Sequence, residues 1–185
     1  MRNALRHSAV IDIARSPVLL EVAREIVGIE AVPFKATLFD KSPISNWLVT
    51  WHQDTALPLQ GRRELPEWGP WSVKDGVIYA HAPASALSKV VALRLHLDDS
   101  DSMNGPLRVL PGTHTLGVLS DQEIHAISGR NTPVDCLVSR GGLLVMKPLL
   151  LHASSKSRSK ASRRVLHIEY AASDTVHSEL RLAIS

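Results

Sequence analysis

Residues 51–54 are Trp51-His52-Gln53-Asp54, and this stretch decides how the rest of the chain is interpreted. In an extended strand, residues i and i+2 project from the same face. His52 and Asp54 can therefore converge on one ion, while Gln53 points elsewhere. A single His-x-Asp pair is a weak signal, because the same pattern arises by chance at the polar end of an exposed strand. The pair indicates a metal site only if a third ligand can be found.

A second histidine lies 100 positions further along the chain, at His152. It ends an apolar stretch that begins at Gly141, as expected where a buried strand opens into a pocket. Such a histidine is alternatively a hydrogen-bonded core residue. Two histidines and one carboxylate with open coordination positions are nevertheless the facial ligand set of non-haem Fe(II) oxygenases. The sequence therefore predicts a metal site at His52, Asp54 and His152.

An arginine in the last quarter of the chain is a candidate anion-binding group. Arg163 lies eleven residues after the second histidine and precedes the strand-like segment 164–170. Three apolar residues of that segment share one face with Arg164, namely Leu166, Ile168 and Tyr170, so Arg163 points to the opposite face with His167 and Glu169. If the apolar face packs beneath the N-terminal helix, Arg163 faces a cavity, where a guanidinium can hold a carboxylate through two parallel hydrogen bonds. Alternatively, Arg163 is a solvated charge in the basic run 156–164.

The patterning becomes strand-like after Pro33. Short apolar or alternating segments are separated by Gly, Pro, Asn and Asp, which favour turns. We predict strands in eight segments: 34–39, 46–52, 77–81, 90–97, 107–110, 134–138, 142–147 and 164–171. Several short strands at such intervals are typical of a sandwich or barrel.

The opening thirty residues predict helical structure. Ser16 is a candidate N-cap, Pro17 suits the first helical position, and Gly28 lies where a helix would end. Between them, apolar residues recur at helical spacing: Val18, Leu19, Val22, Ile26 and Val27. Such a short helix needs a partner against which to bury this stripe.

Two further segments have a distinct character. Residues 120–127 predict a brief helix, in which Ser120 and Glu123 can form a capping box. Residues 60–76 carry turn residues and two tryptophans, and we predict a long functional loop or lid there, because large aromatic side chains need something to pack against.

Together these motifs resemble the phytanoyl-CoA dioxygenase-like branch of the 2-oxoglutarate oxygenases. That family carries His-x-Asp in a Trp-His-Gln-Asp setting, a later histidine, and an arginine about eleven positions beyond it. Here these positions are His52, Asp54, His152 and Arg163. Further segments similar to the family follow in the same order: 38–43, 46–47, 93–99 and 104–114. The resemblance runs from about residue 32 to 171.

The resemblance implies a mainly β fold, a double-stranded β-helix (a cupin-like jelly roll) with flanking helices. We expect one domain over residues 1–185, with a helical segment at about 1–30 and the jelly-roll core at about 32–171. The implied cofactors are Fe(II) on the three metal ligands, 2-oxoglutarate anchored by Arg163, and O2. The implied activity is that of a dioxygenase, which hydroxylates a C–H bond of a small molecule and releases succinate and CO2. Asp54 favours hydroxylation, because related halogenases lack this carboxylate.

Four weaker candidates concern ligand contacts around this site. Asn46 precedes the metal-binding strand and Ser154 follows the second histidine, so both are candidate cosubstrate contacts. We expect Trp68 and Trp71 to bind substrate at the pocket entrance.

Arg94 is a further candidate, because it lies in an otherwise apolar strand, where a charge seldom stays unpaired. It is expected to bind a carboxylate of the substrate or of the cosubstrate. Alternatively, it pairs internally with Asp98 or Glu169.

Composition narrows the classes of partner. No apolar run reaches the roughly 18–20 residues of a membrane span, so no membrane partner is expected. The first residues are too polar for a secretory signal, and the single cysteine, Cys136, fits a reducing cytoplasm. The net charge of +3 and the scattered basic residues do not predict nucleic-acid binding. A small-molecule substrate is expected. A homo-oligomer is left open, because 185 residues leave little length for a substrate lid.

Two alternatives remain beside the oxygenase. One is a cupin-like enzyme that uses Mn or Zn for isomerisation or hydrolysis without 2-oxoglutarate. The other is a non-catalytic ligand-binding domain that has kept the jelly-roll fold. The second is disfavoured by the complete set of metal ligands with Arg163, since a domain without chemistry would be free to lose at least one of them.

Overall fold

A computed structural model describes residue 1 and residues 3–184 of the chain. Its strands, in chain order, are β1 (Val32–Lys41), β2 (Val49–His52), β3 (Ala56–Leu59), β4 (Trp71–Lys74), β5 (Val77–His81), β6 (Val90–His96), β7 (Leu107–Val109), β8 (Val134–Cys136), β9 (Leu143–Met146), β10 (His152–Ser154), β11 (Arg163–Ala171), β12 (Thr175–His177) and β13 (Leu180–Arg181). The α-helices are α1 (Ser8–Ala14), α2 (Pro17–Val27), α3 (Ala84–Leu87) and α4 (Asp121–Arg130), and short 3₁₀ helices lie at Ala4–Arg6 and Thr113–Leu116. Over the described range, every helix is too short or too polar to cross a membrane.

Two four-stranded antiparallel sheets enclose the site. The first has the strand order β1-β11-β6-β9, and the second has the order β2-β10-β7-β8. Neighbours in each sheet come from distant parts of the chain, as in the pairing of Leu38 with Leu166. This interleaving of strands between two facing sheets is that of a jelly roll. It confirms the predicted mainly β, double-stranded β-helix fold.

The N-terminal helices cover the outer face of the first sheet. Leu19 and Ala23 of α2 pack with Leu166, Ile168 and Tyr170 of β11 in one apolar cluster. The Tyr170 hydroxyl also donates a hydrogen bond to the Ala14 carbonyl, at 2.8 Å. The apolar face of segment 164–170 therefore lies beneath the helices, as the alternation predicted.

The predicted helical signals are confirmed with two differences. In α2, Pro17 occupies the first turn and Gly28 the C-cap, but the side chain of Ser16 makes no capping hydrogen bond. Val18 is 67% exposed, because the sheet contacts the Leu19–Ala23 side of the helix rather than the whole stripe.

The predicted capping box at the start of α4 is present. The backbone N–H of Glu123 donates to Ser120 Oγ, at 3.3 Å, and the backbone N–H of Ser120 donates to Glu123 Oε2, at 2.8 Å. The helix continues to Arg130, three residues past the predicted end.

Segment 60–76 is only partly a loop. Its last third forms β4, which pairs with β5 in the three-stranded sheet β3-β5-β4. Asp75 and Gly76 connect the two strands, with φ angles of 52° and 78°. Two consecutive positive φ angles are what a tight hairpin requires, and Asp-Gly is a favoured pair for it. The predicted loop is wrong at this end, since the Asp-Gly signal marks a hairpin.

Charged and polar side chains occupy the space between the two main sheets. The outer face of the first sheet, in contrast, buries apolar residues beneath the helices. The buried members of this group are Lys41, Arg94, His96, His152, Arg163, His167 and Glu169. Charged residues are almost never fully buried unless they are paired or bind a ligand. The interior of the jelly roll therefore marks the candidate functional site.

Candidate metal centre and its cavity

Strand pairing brings the three predicted metal ligands together. His152 of β10 lies opposite His52 of β2, and the centroids of their rings are 4.1 Å apart. Asp54 follows β2, and its Oδ1 and Oδ2 atoms lie 3.7 Å and 3.5 Å from Nε2 of His52 and His152. One ligand atom from each residue lies within 4.8 Å of the others, a spacing that allows all three to hold one metal ion.

Hydrogen bonds fix which nitrogen each histidine presents. Nδ1 of His52 contacts the Thr50 carbonyl, and Nδ1 of His152 contacts the Leu150 carbonyl, both at 2.8 Å. A carbonyl only accepts hydrogen bonds, so each Nδ1 carries the proton and each Nε2 presents a lone pair to the space that it shares with the Asp54 carboxylate. Metal-binding histidines typically have this arrangement. The donor set fits a divalent cation such as Fe(II).

The neighbouring residue Gln53 points away from the cluster and anchors it. Its side-chain amide donates to the carbonyls of Gly117 and Leu149, at 2.9 Å and 2.8 Å, and accepts from the backbone N–H of Leu119, at 2.8 Å. The backbone N–H of Asp54 donates to the Pro148 carbonyl. The turn that carries Asp54 is thereby tied to the loop that precedes His152.

The protonation states also suit metal binding. Burial lowers the pKa of His152 to about 4, against the opposing effect of Asp54. Burial would raise the pKa of Asp54, but the neighbouring imidazoles, His152 first, and the Lys35 ammonium lower it below its usual range. At neutral pH, His152 is therefore neutral and Asp54 is ionised, which are the forms that bind a metal.

A cavity of about 140 Å³ extends from this cluster between the two sheets. Its lining residues are Lys35, Thr37, Phe39, Lys41, Trp47, Val49, His52, Asp54, Arg94, Leu107, His152, Ser154, Arg163, His167 and Glu169. Six of the nine site residues predicted from the sequence thus line one cavity: His52, Asp54, Arg94, His152, Ser154 and Arg163.

Arg163 lies at the end of the cavity away from the metal ligands and is 3% exposed. Its Nε donates to the Asn104 carbonyl, at 3.1 Å, while its Nη1 is buried without a hydrogen-bond partner among the described residues. Burial lowers the pKa of its guanidinium. A buried guanidinium with an unused donor fits a carboxylate ligand, as the distal end of 2-oxoglutarate requires.

Lys41 lies beside Arg163 in the pairing of β1 with β11 and was missed by the sequence analysis. Its Nζ donates to Ser154 Oγ, at 2.6 Å, and to the Ser155 carbonyl. Burial, with the charges of Arg163 and Arg94, lowers the pKa of Lys41 to about 8. The signal for it was the alternation in segment 34–41, which places position 41 on the same face as position 35.

The two weaker cosubstrate candidates have different surroundings. Ser154 lines the cavity, and its Oγ donates to the Gly105 carbonyl, at 2.9 Å, while it accepts from Lys41. The side-chain amide of Asn46 is bonded instead to the backbone of Ser157, at 2.8 Å in both directions. Asn46 thus fixes the loop that follows β10 and is outside the cavity lining.

The two tryptophans also lie outside the cavity lining. Trp68 is 8% exposed and belongs to the apolar cluster beneath the sheet β3-β5-β4. Trp71 packs partly buried against that cluster, and its Nε1 is buried without a hydrogen-bond partner in the described structure. Their predicted contact with substrate stays a prediction.

A groove of about 330 Å³ adjoins the cavity on the Asp54 side. It shares Lys35, Thr37, Phe39 and Asp54 with the cavity, and it continues past Lys74, Tyr79 and His81 toward β4 and β5. This groove offers a path by which a second ligand can reach the metal ligands.

Comparisons with known proteins agree with this geometry. A family model described as "Phytanoyl-CoA dioxygenase (PhyH)" matches residues 2–165. A protein of Stutzerimonas stutzeri named "Probable alpha-ketoglutarate-dependent hypophosphite dioxygenase" is 26% identical over 184 residues, covering 92% of this chain and 55% of its own length. The chain thus spans about half the length of the curated relative that it matches.

Solved structures share the fold. AviO1 from Streptomyces viridochromogenes has a TM-score of 0.66 at 25% identity, over 92% of this chain and 65% of its own. EctD from S. alaskensis, solved with 2-oxoglutarate and 5-hydroxyectoine, has a TM-score of 0.67 at 17% identity, over 92% of this chain and 55% of its own.

Proposed function

The chain belongs to the phytanoyl-CoA dioxygenase family, and on that premise we propose that it is an Fe(II)- and 2-oxoglutarate-dependent dioxygenase that hydroxylates a small molecule. One observation supports this most strongly. Two histidine Nε2 lone pairs and an ionised carboxylate face one space in a cavity, which a buried arginine with an unused donor also lines.

His52, Asp54 and His152 would hold Fe(II), and Arg163 would hold the distal carboxylate of 2-oxoglutarate. When bound, Fe(II) and 2-oxoglutarate would supply the oxidising power for the reaction. In it, O2 converts 2-oxoglutarate to succinate and CO2, and one oxygen atom enters a C–H bond of the substrate. Three protein ligands leave coordination positions for exogenous ligands.

The remaining lining residues would orient and shield the ligands. Phe39, Val49 and Leu107 form apolar walls that would limit the access of water to the bound ligands. Water exclusion strengthens each electrostatic contact and protects reactive species from side reactions. Lys41 places a second positive charge beside Arg163 and connects it to Ser154, so the distal end of the cavity favours an anionic ligand.

The primary substrate would approach through the groove on the Asp54 side. This groove meets the metal ligands at Asp54 and has room for a compact molecule. The Stutzerimonas relative carries hypophosphite in its name, an anion with P–H rather than C–H bonds, so that relative supports only the small size of the proposed substrate and not the bond that is oxidised.

The test is succinate formation from 2-oxoglutarate after air is admitted to protein that was reconstituted anaerobically with Fe(II) and ascorbate. Slow turnover without substrate makes the assay independent of substrate identity. We expect succinate from the wild type and from His125→Ala, a control histidine on α4 outside the cavity lining. His52→Ala and Asp54→Ala should give none. Failure of the metal-loaded wild type both to form succinate and to bind 2-oxoglutarate would contradict the proposal and favour a cupin-like enzyme or binding domain.

A further inference from the structure

A continuous chain of polar contacts crosses the floor of the cavity. Lys35 Nζ lies 2.7 Å from Glu169 Oε1, which in turn lies 3.4 Å from His167 Nε2. On the other side of the same ring, Arg94 Nη1 contacts His167 Nδ1 at 2.9 Å. The register of β1, β11 and β6 produces this chain, because it places Lys35 opposite Glu169 and Arg94 opposite His167.

The contacts fix the direction of each hydrogen bond. A guanidinium has donors and no acceptor, so Nδ1 of His167 must accept from Arg94. The proton of the neutral imidazole is then on Nε2, from which it points at Glu169. The carboxylate of Glu169 is ionised, because Lys35 lowers its pKa against the effect of burial. His167 is therefore a rigid acceptor that holds the Arg94 guanidinium in one orientation.

Arg94 nevertheless keeps an unneutralised charge. It is 6% exposed, its Nε has no hydrogen-bond partner, and it takes part in no ion pair within the described chain. The predicted internal partners are otherwise engaged, since Asp98 pairs with Arg164 and Glu169 with Lys35. An unpaired buried charge is strongly unfavourable. A ligand anion would supply the missing partner.

Arg94 and Arg163 enter the cavity from different positions along the first sheet. Arg163 and the strand partner of Arg94, His167, are four residues apart on β11, which corresponds to about 13 Å along the strand. Arg94 is also near the metal ligands, since the charge of Asp54 opposes the lowering of its pKa by burial and Arg94 in turn lowers the pKa of His152, although Arg163 is near enough to lower the pKa of Arg94 as well. The Arg94 guanidinium is therefore close to both the metal ligands and Arg163.

We propose that Arg94 is a second anion anchor of the cavity, which binds an oxyanion group beside the metal ligands, and that His167 and Glu169 are positioning residues that hold its guanidinium. This inference rests on the proposed function. The bound chemistry is a carboxylate or an oxyanion of similar size. It comes either from the keto-acid end of 2-oxoglutarate or from an acidic group of the primary substrate.

Calorimetric titration of Mn(II)-loaded protein tests the anchor without requiring turnover. The first probes are 2-oxoglutarate and 2-oxopentanoate, which has the same chain length and keto-acid end without the distal carboxylate. If Arg94 binds the keto-acid end, Arg94→Gln lowers the affinity for both probes by a similar factor of tenfold or more. Arg163→Gln, the matched arginine control, lowers the affinity for 2-oxoglutarate only.

A second arm distinguishes the other source of the anion. Protein loaded with Mn(II) and 2-oxoglutarate is titrated with inorganic phosphite as an oxyanion probe. If Arg94 serves the substrate, Arg94→Gln abolishes phosphite binding and leaves both keto acids within twofold of wild type. The inference is overturned if Arg94→Gln leaves all three probes within twofold. Wild-type protein that binds no 2-oxoglutarate would instead contradict the proposed function itself, and it would also overturn the inference about Arg94.

The positioning role is tested with two substitutions of His167. Glutamine can accept from Arg94 and donate to Glu169, whereas leucine can do neither. We expect His167→Leu to lower the affinity for the same probes as Arg94→Gln does. The affinities of His167→Gln should stay within about threefold of wild type. A purely structural role would lower the Tm of both variants without such selectivity. Arg94→Lys, which keeps the buried charge, provides a folded variant if Arg94→Gln unfolds, and should show an intermediate loss.

Discussion

His152 lies directly opposite His52 in the antiparallel pairing of β10 with β2, although 100 residues separate them in the chain. Both rings are turned by a backbone carbonyl so that Nε2 faces Asp54. The register of the second sheet thus places both histidines of the proposed metal centre. Asp54 is placed by the turn after β2, which Gln53 and the Pro148 carbonyl hold.

Removal of the carboxylate should abolish tight metal binding. Asp54→Ala leaves two neutral imidazoles, so we expect its affinity for Mn(II) to fall by more than roughly 100-fold. A change to a residue that only supports the ligands typically costs up to about 100-fold, and loss of a ligand should cost more. Asp40→Ala is the matched control, since Asp40 is exposed on β1. Titration calorimetry of the metal-free protein measures both. Equal affinities for Asp54→Ala and wild type would show that the metal binds elsewhere.

Ligand binding should weaken at alkaline pH because of Lys41. Its pKa of about 8 lies below the usual value of 10.5, so it loses its charge as pH rises through 8. A nearby anion prefers the charged form, and we expect the affinity for 2-oxoglutarate to fall several-fold between pH 7 and pH 9. In Lys41→Met the affinity for 2-oxoglutarate at pH 7 should already be lower, and it should change less between pH 7 and pH 9. If the affinity of this variant fell with pH as steeply as that of the wild type, a group other than Lys41 would cause the pH dependence.

His96 should account for part of the acid sensitivity of the protein. It is 1% exposed, neither ring nitrogen has a hydrogen-bond partner among the described residues, and burial with the charges of Arg94 and Arg163 lowers its pKa to about 4. The unfolded chain takes up this proton below about pH 6.5, but the folded protein does so only near pH 4. The free energy of unfolding is therefore lost as pH falls through this window, by on the order of 3 kcal/mol.

The substitution that tests this role is His96→Leu. It should leave stability at pH 7 unchanged or higher, because it removes two buried polar atoms without partners. It should also reduce the loss of stability between pH 6.5 and pH 4. Urea unfolding at several pH values measures both effects. A variant as acid-sensitive as wild type would contradict the assignment.

Gly105 should be intolerant of a side chain. Its φ is +67°, and a Cβ there would collide with the Ser155 carbonyl oxygen, which accepts a hydrogen bond from Lys41. Gly112, with φ +82° and open space around its Cβ position, is the matched control. We expect Gly112→Ala to cost about 1–2 kcal/mol from backbone strain alone. Gly105→Ala should cost more than about 3 kcal/mol, because steric overlap adds to that strain. Equal losses in urea unfolding would show that the close approach is unimportant.

Local patterns predicted much of this fold. The capping box of α4 and the Pro17 start of α2 follow from hydrogen-bonding needs within a few residues, and both are present. The two-residue alternation of β11 correctly placed Arg163 on the face opposite the helices. The strands β3 and β10 were not predicted, because β3 contains Pro58, which is unusual inside a strand, and β10 (His152–Ser154) has no apolar alternation.

The charged lining of the cavity was harder to predict. Lys35 and Lys41 look like solvated residues on an amphipathic strand, since their partners Glu169 and Ser154 lie more than a hundred positions away. Sequence alternation could show which face of β1 they share, but not that a second charged strand faces them. Only the pairing of β1 with β11 turns these lysines into site residues.

The most direct test of the central claim is the visible absorption of the anaerobic protein on addition of Fe(II) and 2-oxoglutarate. A keto acid that chelates Fe(II) through its carboxylate and keto oxygens gives a charge-transfer band that neither component gives alone. We expect this band with wild-type protein, its loss in Asp54→Ala and His152→Ala, and a higher 2-oxoglutarate concentration for half-saturation in Arg163→Gln. A wild-type protein that binds Fe(II) but shows no band at any 2-oxoglutarate concentration would contradict the account.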